Sequence, residues 1–187
     1  MENSSWSFTT QKSEKSSLNN VFKPTPDCKL KVRMVGNPVK LIKVFSNDKK
    51  CAILDTEDTG KKLKAKYPKE LNDVVVRFAC WCFDRNDDNA LKILDMPFSV
   101  ANSIGNRQLL VGKKVGGITE GGDWSIITNG KKGKDVRYEA VYLDETPLTD
   151  AEKKMVEDKK SDEEGQFDLS KYYKTHNFVE AEKLLFN

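Results

Sequence analysis

Val74 to Phe83 is a ten-residue run in which Arg77 is the only charged side chain. Its β-branched and aromatic residues alternate with period two, so the run reads as an extended strand. One face of that strand carries Val74, Val76, Phe78, Cys80 and Cys82, all apolar, with the thiols acting as small hydrophobes in a core. The opposite face carries Val75, Arg77, Ala79, Trp81 and Phe83. Asp84 to Asn89 is a turn sequence that returns the chain into Ala90 to Leu94 as a hairpin partner.

Shorter extended stretches surround this hairpin. Lys29 to Val35 alternates, Gly36-Asn-Pro38 breaks it, and Lys40 to Phe45 resumes. Ser46 to Lys49 is a turn before a strand at Cys51 to Leu54. Pro97 stands where a helix begins, with Met96, Val100 and Ile104 along one apolar edge. Trp124 to Thr128 and Val136 to Leu143 follow as late strands, joined by the Gly/Lys-rich turn Asn129 to Asp135. Five or more strands with a single helix among them exclude repeated βαβ units. The expected class is mainly β, a small antiparallel OB-fold-like barrel with one inter-strand helix; strand number alone also permits an SH3-like barrel or a sandwich.

The ends differ from this body. Residues 1–25 include six Ser before Asn20 and few bulky apolar groups, and read as a flexible N-terminal arm. Residues 26–147 form the expected domain, and 148–187 a mixed-charge, partly helical tail. Thr149-Asp-Ala-Glu152 has the spacing of a helix capping box. In a second short helix, Phe178, Ala181 and Leu185 fall on one stripe. From Leu148 onward 7 Lys face 10 acids, a net of −3, so the remainder of a chain of net +3 carries +6. A basic body with an acidic tail suits a protein that meets a polyanion. No apolar run reaches the roughly 18–20 residues of a membrane helix, and four Cys without a secretory leader point to a reducing, cytoplasmic setting.

The constellations of catalysis are missing. No Ser/His/Asp or Cys/His set can be assembled, and the single His176 lies in the tail. Gly112-Lys-Lys-Val-Gly-Gly117 lacks the Walker spacing. Cys80-x-Cys82 lacks a zinc-knuckle spacer, and a site completed by Cys28 and Cys51 is disfavoured. The expectation is therefore a non-enzyme with no metal and no cofactor.

What remains is binding chemistry. A strand face offering Arg77, Trp81 and Phe83 suits a single-stranded nucleic acid: bases stack on rings at ~1–3 kcal/mol each while cations meet phosphates. Lys31 and Arg33 extend that platform from one neighbouring strand, Lys43 and Phe45 from another, and Arg85 follows at the turn. Two Lys-rich loops, Gly60 to Lys69 and Gly130 to Lys134, the latter with Lys131, Lys132 and Lys134 leading into Arg137, are suited to tracking a phosphate backbone.

The order of segments resembles bacteriophage replication single-stranded-DNA-binding proteins. The likeness rests on Lys31-Val-Arg-Met-Val with Val44 to Lys50, on Arg77 to Arg85 followed by Leu91 to Met96 and a short helix, and on Asp123-Trp-Ser-Ile-Ile-Thr with Arg137-Tyr-Glu-Ala-Val and Thr146-Pro-Leu148. It spans about Lys29 to Leu148 as a loose pattern. It implies an OB-fold that coats single-stranded DNA without sequence preference, with Lys43, Phe45, Arg77 and Trp81 on the DNA face. Replication proteins (helicase, primase, polymerase) are the partners it implies, and the tails offer a route to self-association. The chain lacks the compact Cys/His zinc cluster of some relatives and a long acidic run with a hydrophobic tip. The alternatives are a protein-interaction module that grips its partner with the tail helix, and an RNA-binding barrel.

Overall fold

The computed structural model describes residues 21–25, 29–46, 50–54, 58–111, 117–130, 136–159, 169, 172–173 and 176–186. The expected flexible arm, up to residue 20, lies outside them. Among these described residues eight strands form one mixed sheet, accompanied by four helices. In chain order the strands are β1 (Val21–Phe22), β2 (Lys29–Met34), β3 (Val39–Ser46), β4 (Lys50–Leu54), β5 (Leu71–Asp84), β6 (Ala90–Pro97), β7 (Gly122–Asn129) and β8 (Arg137–Glu145). The helices are α1 (Thr59–Lys66), α2 (Phe98–Val111), α3 (Asp150–Glu157) and α4 (Phe178–Phe186).

The sheet runs β1-β6-β5-β2-β7-β8, with β3 and β4 branching from β5. The expected mainly β class holds, but among the described residues no ladder joins the sheet's ends, so it is an open sheet where a small, partly open barrel was expected. It is not purely antiparallel either, because β1 pairs parallel to β6, Val21 opposite Ile93. β5 organises the whole. β6 follows one of its edges, Arg77 opposite Pro97 through Asp84 opposite Ala90. β3 and then β2 share the other, Val39 opposite Ala79 and Met34 opposite Cys82. The Val35 amide bridges the gap by donating to the Trp81 carbonyl at 3.0 Å. The hairpin turn after β5 uses Asp88 and Asn89 at φ 45° and 56°, a left-handed conformation that these short polar side chains tolerate.

Three apolar clusters fill the two faces. Cys80, Cys82, Leu94 and Met96 pack with Val100 and Ile104 of α2 and with Trp124 and Ile126 of β7. Met96 thus reaches this core from β6 and not from the helix. On the opposite face Trp81, Phe83 and Ile93 are covered by Leu148, Val156, Leu169 and Tyr173. The third cluster joins Ile42 and Val44 to Leu63 and Leu71, and to Ala181 and Leu185 of α4.

These clusters correct three expectations. Gly60 to Lys66 belongs to a helix and not to a loop: Leu63 is buried while Lys61 and Lys62 face water. Gly60 is required there, because a Cβ would lie 2.6 Å from Ile42 Cγ2. The fold begins earlier than residue 26, since β1 is part of the sheet. The C-terminal segment is not a separate tail, because its apolar stripes close two of the three clusters. α4 is further held by Phe186, whose ring stacks on Tyr67 at 4.1 Å, and by Glu182, which accepts from Lys66 Nζ at 2.6 Å and from the Tyr67 hydroxyl.

The expected capping box on α3 forms. Thr149 N donates to Glu152 Oε2 at 2.8 Å, and Glu152 N donates to Thr149 Oγ1 at 3.2 Å. The second Glu152 oxygen accepts from Arg85 Nη1 at the β5–β6 turn. Burial opposes ionisation of Glu152, but the Thr149 amide and the Arg85 guanidinium outweigh it and hold the carboxyl below its ordinary 4.5. The depressed value means that its contribution is complete above about 4.5 and lost as pH falls through the folded value. Glu152→Gln should cost roughly 3 kcal/mol near neutral pH. In urea titrations, the gap between variant and wild type should close in strong acid.

Candidate nucleic-acid interface

Alternation along β5 places Val75, Arg77, Ala79, Trp81 and Phe83 on one face, and antiparallel register adds Leu41 and Lys43 from β3 and Ile93 and Asp95 from β6. Arg77, Trp81 and Phe83 therefore do share a face, but it is not an open platform. Trp81 is 3% and Phe83 0% exposed. Tyr172 meets the Trp81 ring edge-on at 5.5 Å. Both rings are core, because the C-terminal segment supplies the second layer that the face needs.

Arg33 is likewise a structural group. It is fully buried and donates to three carbonyls: Thr146 at 2.9 Å, Glu120 at 3.2 Å and Met34. Desolvation lowers its pKa, and its geometry staples β2 to the segments that flank β7 and β8. Arg85 is almost as enclosed, with Nε 3.1 Å from Asp123 Oδ1 and Nη1 on Glu152. Lys31 is half exposed, 3.2 Å from Asp123 Oδ2, and together with Arg85, Thr149 and Glu152 it lines a cleft of about 400 Å³. Arg137 is exposed at the start of β8. Lys131, Lys132 and Lys134 lie outside the described residues.

The structure does bring Lys43 and Arg77 together, around a group that the sequence reading did not single out. Asp95 of β6 is fully buried and accepts from Lys43 Nζ on one oxygen and from Arg77 Nε on the other. Arg77 Nη2 also donates to the Asp95 carbonyl at 2.8 Å. Lys23, just past β1, lies 3.9 Å from the same carboxylate with its side chain 47% exposed. Three cations thus converge on one carboxylate. Ala79, opposite Asp95 in the ladder, carries only a methyl and leaves room for the longer side chains. Desolvation lowers the Lys43 pKa, only partly offset by Asp95. Phe45, half-buried, continues the Lys43 row toward the end of β3. The signal for Asp95 was its place as an acid between the apolar Ile93-Leu94 and Met96 of an alternating strand.

The two cysteine side chains on the other face are enclosed. Burial pushes the Cys80 thiol up to about 12 and Cys82 well above its ordinary value, so both are unreactive in the folded state.

Removing Asp95 leaves buried cations without their counter-charge, whereas removing Lys43 leaves the Arg77–Asp95 pair intact. Asp95→Asn should cost about 3–5 kcal/mol in guanidinium unfolding, and Lys43→Met less than half of that.

Compared with known proteins, the chain matches no family model, and no curated protein matches it.

Proposed function

We propose that this chain is a non-enzymatic, single-stranded-DNA-binding protein whose open sheet is a divergent form of the OB-fold. The observation that carries the reading is the excess of positive charge on the β3–β5–β6 face, where Lys23, Lys43 and Arg77 share the single carboxylate of Asp95. A half-buried surface with surplus cations attracts a polyanion more strongly than a solvated lysine patch does, because water screens it less. Phe45, beside Lys43 and half-buried, offers a ring for base stacking. The OB-like reading is supported by chain order: strands through β6, then helix α2, then the β7–β8 hairpin whose first strand pairs with β2.

In this reading the bound strand is held by phosphate neutralisation along the Lys23–Arg77 face and by stacking on Phe45. Trp81 and Phe83 support the face from beneath the C-terminal segment and do not touch bases. The tail helix spends its apolar stripe on its own body, which disfavours its use as the main grip on another protein.

Fluorescence anisotropy of labelled poly-dT, with duplex DNA and oligo-U as competitors, tests this reading. Binding should resist the duplex. It should weaken roughly 20-fold for a fourfold rise in salt if three phosphates are neutralised at a slope of about 0.7 each. Phe45→Ala should cost about 1–3 kcal/mol of binding with the fold intact. Absence of binding at low salt would overturn the reading, and stronger displacement by oligo-U would redirect it to RNA.

A further inference from the structure

The Asp95 cluster has an imbalance that the fold itself does not correct. Among the described residues, Lys23, Lys43 and Arg77 meet one carboxylate, a surplus of two positive charges. The Lys43 side chain is 8% and that of Arg77 17% exposed, so water does little to solvate them. Surplus charge in such a setting is costly unless a counter-ion and further hydrogen bonds satisfy it.

A second polar group at this spot has nothing to bond. Tyr173 is 5% exposed, and among the described residues its hydroxyl has no hydrogen-bond partner. It packs in one cluster with Leu41, Ala79 and Ile93, and Leu41 is the ladder partner of Arg77 and Ala79 that of Asp95. Burial, first, and the Asp95 charge, second, raise its pKa, so the hydroxyl keeps its proton and is available as a donor. An orphaned buried donor beside a charge surplus of two calls for an anionic acceptor with several oxygens.

We propose that Lys23, Lys43, Arg77 and Tyr173 form a phosphate-binding subsite on the β3–β5–β6 face, with Asp95 as the residue that positions its cations. The occupant is a tetrahedral phosphate oxyanion. Its two available sources are a strand's backbone phosphodiester, with one charge, and a terminal phosphomonoester, with close to two. The enclosed Lys43 and Arg77 exceed Asp95 by one charge, which matches the diester, and the half-exposed Lys23 brings the surplus to two, which matches the terminal group. The subsite rests on the proposed nucleic-acid reading for its biological ligand, but its chemistry is testable without any nucleic acid.

The first arm is the melting temperature of the full chain in inorganic phosphate, against chloride at matched ionic strength. At a phosphate concentration about tenfold above its dissociation constant, the rise should be about 3 °C. Lys43→Met should weaken phosphate more than tenfold and Tyr173→Phe roughly three- to tenfold. Tyr173→Phe deletes one oxygen and keeps the ring in its cluster, so it remains informative if Lys43→Met folds poorly. The second arm compares oligo-dT with and without a 5′-phosphate. Tighter binding of the phosphorylated strand assigns the subsite to strand ends. Equal affinities, with inorganic phosphate competing, assign it to the backbone. No phosphate-specific rise, or a rise that survives both substitutions, overturns the subsite. If oligonucleotide binds without any such rise, the subsite alone falls; if phosphate binds and oligonucleotide does not, the nucleic-acid reading falls and the subsite stands.

Discussion

β5 is covered on both faces, and most of the molecule follows from that constraint. A strand of fourteen residues with alternating side chains presents two apolar surfaces, and each must be removed from water. α2 and the β7–β8 hairpin cover the face of Cys80 and Cys82. α3 and the segment through Tyr173 cover the face of Trp81 and Phe83. The second covering explains why the described residues after Leu148 pack as part of the domain although the charge of this segment sets it apart. Among its described residues Asp150, Glu157, Asp158 and Glu180 are exposed, while Leu148, Val156, Leu169 and Tyr173 are buried against the sheet.

The polar groups enclosed by this packing serve two different ends. Arg33, Arg85, Asp123 and Glu152 are paired with each other or with carbonyls, and they fasten α3 and the β7 approach to the central hairpin. Each is satisfied, so their burial costs little beyond desolvation. The Asp95 group is different, because its cations outnumber its anion and a hydroxyl beside it is left over. The first set is what a fold needs to hold itself together. The second is the kind of unbalanced site that gains most from a ligand.

Legibility in the sequence tracked the range of the interaction. The β5–β6 hairpin, the late strands, the α3 capping box and the α4 stripe were readable because each depends on residues a few positions apart. α1 is not legible as a helix because Leu63, its one large buried apolar side chain, sits among lysines and its stability comes from docking on β3 and α4. The expected aromatic platform was undone by a warning present in the run itself. Nine of the ten residues from Val74 to Phe83 are uncharged and mostly large, which is the composition of a strand buried on both sides rather than on one.

By itself the sequence determined the strands, their periodicity, and which residues of β5 share a face, because backbone sterics and alternation are local. It also placed Lys43, Phe45, Arg77 and Trp81 on one side of the sheet. Only the tertiary structure decided that Trp81 lies beneath the C-terminal segment, that the sheet stays open, and that Lys43 and Arg77 meet on Asp95. Those outcomes depend on contacts between residues tens of positions apart, such as Lys43 with Asp95 and Arg85 with Glu152. Nothing in the neighbouring sequence of either partner encodes them; they arise when burial leaves each charge with a single place to go.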